Sequence, residues 1–412
     1  MMCRHCGAEL TLPLIDLGSA PPSNAYLTDE TLHAPERWYP LRVLVCTICW
    51  LAQTEDYAGA DELFSADYAY FSSYSTTWVQ HAKRYVAEMT DRFDINRSSF
   101  VIEVAANDGY LLQFVKERGI PCLGIEPTGS TAAAARARGI EIVENFFDTH
   151  LARKLAATGR QADLLVANNV LGHVPDINDF VAGFAILLKP SGIATFEFPH
   201  LLSLVMKNEF DTIYHEHFSY LSLIALTRIF ERNGLGVFDV VELNTHGGSL
   251  RIFAQRLDVG GRKPSSDVAE LMAREQAAGV ASPSFYAGFQ DKADGVKNDL
   301  VAFLIQAKDG GKTVAGYGAA AKGNTLLNYS GLRPDLLAWV ADRNPAKQGK
   351  YLPGSRIPIV SDSRIMAERP EYIVVLPWNL LDEVIVQLAY VREWGGHLVT
   401  AVPSLRVYEV GG

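Results

Sequence analysis

Near the middle of the chain, Tyr214-His215-Glu216-His217 puts three titratable groups and a phenol within four positions. As one helical turn, the segment sets Tyr214 and His217 on the same face, a spacing suited to moving a proton. A metal site would use His215 and His217, which alternate on an extended strand. No third ligand stands nearby and HExxH is absent, so metal is the weaker reading. A plain surface loop with a histidine paired to Glu216 is the bland one.

A second constellation lies at the start. Cys3-x-x-Cys6 and Cys46-x-x-Cys49 supply four thiolates in two knuckles, the tetrahedral set structural Zn²⁺ prefers. The 39 residues between the pairs exceed compact ribbon spacing, so an inserted excursion is expected. His5 and His33 are lesser substitutes for one thiol. A closed four-cysteine site has no open position for water, which makes its role folding rather than catalysis. Cys122 opens an apolar run and reads as core.

A third follows the apolar run FVIEV. Glu103-Val104-Ala105-Ala106-Asn107-Asp108-Gly109 is a turn into a helix, at the strand end where open α/β sheets bind ligands. A dinucleotide loop would be richer in glycine and free of carboxylates. Here the acidic groups suit a cationic ligand, and S-adenosylmethionine carries a sulfonium and an ammonium. Glu126 ends the next strand, 18 residues after Asp108, where a carboxylate can accept both ribose hydroxyls. Asn145-Phe146 ends the third strand and is placed to frame the adenine; Asn168-Asn169 ends the fourth. The plain alternative makes Asn107 and Asp108 a helix cap and Glu126 a turn residue.

The last loop, Gly316-Tyr317-Gly318-Ala319-Ala320-Ala321-Lys322, follows a strand and opens a helix. Its amides and Lys322 make an anion site. Lys347, Trp378 and Asn379 lie in turns after later strands. A Rossmann loop for NAD is the competing reading, with Asp342, 24 residues after Gly318, as its ribose contact.

The elements that must position these groups are legible. FVIEV, CLGIE, DLLVA and GIATFEF read as buried parallel strands, separated by amphipathic stretches that end in glycine. VFDVVEL and LRIFAQRL, joined by THGGS, predict an antiparallel hairpin that completes the sheet. Residues 265–307 are helical in spacing and bridge to a second alternation. The expected fold is α/β in three parts. Residues 1–66 form a small zinc-binding domain, 67–262 a Rossmann-like class I methyltransferase domain, and 263–412 a helical linker with a smaller Rossmann-like domain. A net charge of −10 argues against nucleic acid or an anionic membrane as partner. No apolar run reaches the roughly 18 residues of a membrane helix. With no signal peptide at the N-terminus, a cytoplasmic location is expected.

In order, these motifs resemble the sugar 3-C-methyltransferases of deoxysugar biosynthesis. The resemblance is carried by the two CxxC pairs, Tyr68-x-Tyr70-x-Ser72-Ser73, Glu103 to Gly109, and Asn169 to Pro175. Ile213 to Phe218, His246 to Gly248 and Gly316 to Lys322 complete it. Ala105-Ala106 stands where that family has Gly-Cys, and His215 replaces an acidic residue.

The resemblance implies an S-adenosylmethionine-dependent C-methylation of a nucleotide-diphosphate 4-keto sugar. His217 would remove the proton from carbon 3, and Tyr214 or His173 would hydrogen-bond the enolate. Glu216 would orient the histidines or bind a sugar hydroxyl. It also implies that Tyr68 and Asn169 join the cofactor site. Tyr70, Ser72 and Tyr74 would close over the sugar, with His246 and Arg251 beside the site to contact the phosphates. Lys322, Lys347, Trp378 and Asn379 would hold the nucleotide diphosphate. An oxygen or nitrogen acceptor, and a non-catalytic sugar-nucleotide binder, are the further alternatives.

Overall fold

The alternation of apolar runs resolves into three sheets in a computed structural model that describes residues 1–57, 59 and 71–409. In the first, β1 (Leu12–Ala20), β2 (Tyr39–Val45) and β3 (Ala52–Thr54) form an antiparallel meander carrying the cysteine knuckles at its end.

The central sheet contains β4 (Val101–Val104), β5 (Cys122–Ile125), β6 (Ile142–Val143), β7 (Ala162–Asn168) and β8 (Leu188–Pro199), all parallel. The two-residue strand β9 (Ser219–Tyr220) leaves this domain and pairs with β3, so the segment after His217 is part of the zinc-domain sheet. The hairpin β10 (Leu235–Leu243) and β11 (Ser249–Arg256) returns, with β11 antiparallel to β8. Spatial order is β10-β11-β8-β7-β4-β5-β6, which reverses direction between β4 and β7. That reversal opens a crevice at the carboxyl ends of β4 and β7.

Behind the sheet, Phe147, Phe180, Phe184, Phe196 and Phe230 pack ring against ring at 4.6–5.5 Å. The helix Thr76–Phe93 covers the front. Its apolar stripe is Trp78, Ala82, Tyr85, Val86 and Met89; Ser75 caps its start on the Trp78 amide, and Asp94 ends it in a left-handed conformation.

Two helices, Ser266–Ala278 and Phe289–Asp309, lead to the third sheet. Its strands are β12 (Val314–Tyr317), β13 (Val340–Ala341), β14 (Ile359–Val360), β15 (Tyr372–Val375), β16 (His397–Thr400) and β17 (Arg406–Glu409). They run in the order β14-β13-β12-β15-β16-β17, parallel except for β17. β12 stands at the point of reversal, so the loop from Gly316 to Lys322 opens on this domain's own crevice. Among the described residues no helix is long and apolar enough to cross a membrane.

Candidate active site and metal centre

The four cysteine sulfurs lie within 4.8 Å of one another, with Cys3–Cys49 and Cys6–Cys46 each at 3.5 Å. Zinc–sulfur bonds of about 2.3 Å in a tetrahedron give edges of about 3.8 Å, so the set fits the ion. His5 instead meets the Asn178 side chain at 2.8 Å.

The turn after β4 alternates into left-handed backbone at Ala105 (φ 57°), Asn107 (φ 50°) and Gly109 (φ 78°). Glycine is required at 109, where a Cβ would stand 2.3 Å from the Ile140 side chain. Around this turn lie buried polar atoms without hydrogen bonds: Oδ1 of Asp108 and the whole amide of Asn168. Burial and the neighbouring Asp108 push the Glu103 carboxyl well above its usual range, with Tyr110 opposing. Orphaned acceptors at the ends of β4 and β7 fit a cationic, hydrogen-bonding cofactor.

Glu126 corrects the sequence reading in one respect. Its carboxylate accepts from the Asn107 amide (2.9 Å), the Thr128 amide (3.0 Å) and the Thr131 hydroxyl (3.0 Å). Three of roughly four acceptor sites are filled, so it can take one ribose hydroxyl and not two. Ser72 and Ser73 sit on the same turn: the Ser72 amide donates to Asn107 Oδ1 at 2.9 Å, and the Ser73 hydroxyl donates to Asp108. Ser72 is buried and ties its main chain to this turn. Tyr74 is 60% exposed, against Phe71. Tyr68 and Tyr70 lie outside the described residues. Asn145 and Phe146 are exposed at the end of β6.

The histidines converge. His217 donates from Nδ1 to the Thr212 carbonyl at 2.7 Å, and His173 from Nδ1 to the Glu216 carbonyl at 2.8 Å. A carbonyl only accepts, so each neutral ring keeps its lone pair on Nε2. The ring centroids stand 4.6 Å apart, and Tyr214 lies over His217 at 3.9 Å. Burial, then His173, holds His217 well below its ordinary pKa, and burial takes His173 to about 4. Neutral His173 thus presents an acceptor at Nε2, which does not suit the donor role expected for it from the sequence. Glu216 turns the other way: its carboxylate accepts from the Asn24 side chain at 3.0 Å, so only its main chain orients a histidine. His215 faces the Tyr39 carbonyl at 3.2 Å.

Asn169, left-handed at φ 54°, reaches His246 Nε2 at 3.2 Å. His246 packs on Trp78, which stacks on His81. Arg251 does not join them. Its guanidinium donates to Glu197 at 2.6 Å and Glu88 at 2.7 Å between the sheet and the helix Thr76–Phe93, so it is already engaged by two carboxylates.

From the C-terminal domain, Lys322 donates to Asn379 at 2.8 Å and lies 4.7 Å over the Trp378 ring. Trp378 donates to Asp211 at 2.7 Å. Glu209 and Asp211, buried and unforeseen from the sequence, both act electrostatically on Lys322. Desolvation pushes Glu209 to about 7 and Asp211 to about 6. The glycine loop is also less open than its residues imply. The Ala319 amide donates to Asp342 at 2.7 Å, and Lys347 ties the Ala319 carbonyl at 2.8 Å. Asp342 is engaged by the loop where an NAD ribose would need it, and Lys347 is a strut of the loop.

Comparison with known proteins bears on this arrangement. Residues 3–64 match a zinc binding domain model, 78–240 a methyltransferase domain, and 244–403 the C-methyltransferase C-terminal domain. C-methyltransferase NovU of Streptomyces niveus is 35% identical over 405 residues, 98% of this chain and 96% of its own. Magnesium protoporphyrin IX methyltransferase of Synechocystis PCC 6803, solved with bound SAM, overlaps 43% of this chain and 79% of its own, at 14% identity and TM-score 0.34. The PH0226 protein of Pyrococcus horikoshii overlaps 46% and 95%, at 13% identity and TM-score 0.37. The NAD-dependent alternative gives way to the three family models and to the NovU relative: S-adenosylmethionine is the cofactor and zinc the metal. The chain belongs to the C-methyltransferases that join a zinc-binding domain, an S-adenosylmethionine-dependent methyltransferase domain and a C-methyltransferase C-terminal domain in one polypeptide.

Proposed function

We propose that the methyl acceptor is carbon 3 of a nucleotide-linked 4-keto sugar and that His217 is the base that activates it. A carbon acceptor has no lone pair, so a C–H bond must break before methyl transfer, and a neighbouring ketone makes that possible. The observation that carries the reading is the orientation of His217. Its Nδ1–H is held by the Thr212 carbonyl, and its Nε2 lone pair is neutral in the physiological range. Tyr214, tilted against that ring, supplies an O–H for the enolate oxygen, an interaction worth roughly 10²–10³ in rate. When bound, S-adenosylmethionine supplies the electrophilic methyl group on its sulfonium.

On this reading Glu103, Ala105, Asn107, Asp108, Gly109, Glu126 and Asn169 surround the cofactor. His246, Lys322, Trp378 and Asn379 face the acceptor from the opposite wall. Lys322 answers Asp211 and Glu209 there, which suits polar sugar recognition more than a bare diphosphate. The sugar-nucleotide class is supported by the motif order from Cys3 to Lys322. The test is His217→Ala with methyl transfer followed on labelled S-adenosylmethionine. A loss of about 10²–10⁴ in kcat is expected, and near-normal turnover by a folded variant would sink the base assignment.

A further inference from the structure

The first cysteine knuckle is wired to both active-site histidines. Arg4 stands between the ligands Cys3 and Cys6, and its side chain is only 5% exposed. Its guanidinium donates to the Thr54 carbonyl at 2.8 Å and to the Pro175 carbonyl at 3.1 Å, and lies 5.3 Å over the Phe218 ring. Pro175 follows His173 by two residues, and Phe218 follows His217 directly.

The second path runs along β3. The Gln53 side chain, fully buried, donates to Cys3 Sγ at 3.3 Å and accepts from the Arg4 amide at 2.9 Å. The next residue, Thr54, donates its hydroxyl to the His217 carbonyl at 3.1 Å and its amide to the Phe218 carbonyl at 3.1 Å. The knuckle is fixed from the other side by Asn178, which donates to the carbonyls of Arg4 and His5 at 3.2 and 2.9 Å.

We propose that the zinc knuckle is a positioning device for the active-site histidines, with Arg4 and Thr54 as the residues that transmit it. Zinc fixes the main chain of residues 3–6, and Arg4 and β3 carry that rigidity to the segments bearing His173 and His217. A displacement of about 1 Å at a reacting group can cost 10²-fold in rate, so a clamp outside the cleft has catalytic consequences. The inference rests on the roles proposed for His217 and His173, and its test separates the two claims.

In the zinc-loaded full chain, Thr54→Val, Thr54→Ser, Arg4→Met and Arg4→Lys are compared for zinc content and S-adenosylhomocysteine affinity. Histidine ring ¹⁵N spectra, kcat and KM complete the comparison. Thr54→Val should keep its zinc and its affinity within about twofold, move the His217 ring signals and lower kcat about tenfold at constant KM. Thr54→Ser should restore them. Arg4→Met should move the signals of both His217 and His173, and Arg4→Lys should recover only part of the rate. Ring signals unmoved in both Thr54→Val and Arg4→Met, with zinc retained, would overturn the proposal, as would rate losses that track zinc loss. Moved signals with unchanged turnover would support the clamp and sink the base role of His217.

Discussion

Gly247 lies against Glu209 so closely that the pair predicts its own mutational cycle. The glycine has φ +94°, and a Cβ there would stand 2.4–2.7 Å from all three carboxyl atoms of Glu209. Glu209 is buried at the floor of the site, so its carboxylate has little room to retreat. Gly247→Ala should cost about 1–2 kcal/mol for left-handed backbone, plus about 1–3 kcal/mol for the forced contact. In a Glu209→Ala background the contact is gone and only the backbone cost remains. Urea unfolding of the four proteins should therefore give a coupling of about 1–3 kcal/mol between the two positions. A coupling within about 0.5 kcal/mol of zero would refute the claim that this glycine exists to admit that carboxylate.

The acid limb of kcat should lie below pH 6.5: a base whose pKa is lowered on folding keeps its neutral form as the pH falls. Lys322 contributes to that lowering, so Lys322→Met should move the limb upward; an unmoved limb would separate Lys322 from His217. Glu126→Ala should weaken S-adenosylhomocysteine binding by at least about tenfold in calorimetry, because it unties the turns after β4 and β5 as well as removing a ribose acceptor. Unchanged affinity would place the ribose elsewhere. Arg251→Met should cost about 1–3 kcal/mol by leaving buried Glu197 with the His81 hydrogen bond but without its guanidinium, with no change in the acceptor KM of the protein that remains folded. A raised KM would return Arg251 to the substrate site.

The strands of both crevices were legible because parallel strands buried on two faces read as unbroken apolar runs, as in residues 164–167 of β7 and Tyr372–Val375. The hairpin after residue 235 and the four cysteines were legible for equally local reasons. What escaped was set by tertiary contact. β9 has two residues, too few for any period, yet it joins the segment bearing His217 to the zinc-domain sheet. Glu209 and Asp211 sit in a polar stretch that looks solvent-facing, and only the arrival of Lys322 and Trp378 from the third sheet explains their burial. Arg251 read as a phosphate ligand because its partner Glu197, directly opposite on β8, is 54 residues away in sequence. Glu216 stood among candidate catalytic residues, but a turn closed by the His217 amide on the Tyr214 carbonyl directs its carboxylate to Asn24. In each case residue type was visible and direction was not.

The central claim is that His217 breaks a C–H bond next to a ketone before the methyl group moves. The direct measurement is exchange of that hydrogen with solvent. A nucleotide-linked 4-keto sugar is incubated in D₂O with the enzyme and S-adenosylhomocysteine, and the proton at carbon 3 is followed by NMR. The account predicts enzyme-dependent loss of that signal without methylation, abolished by His217→Ala and slowed by Tyr214→Phe. Methyl transfer to the same sugar by wild-type enzyme, with exchange unaffected by His217→Ala, would contradict it.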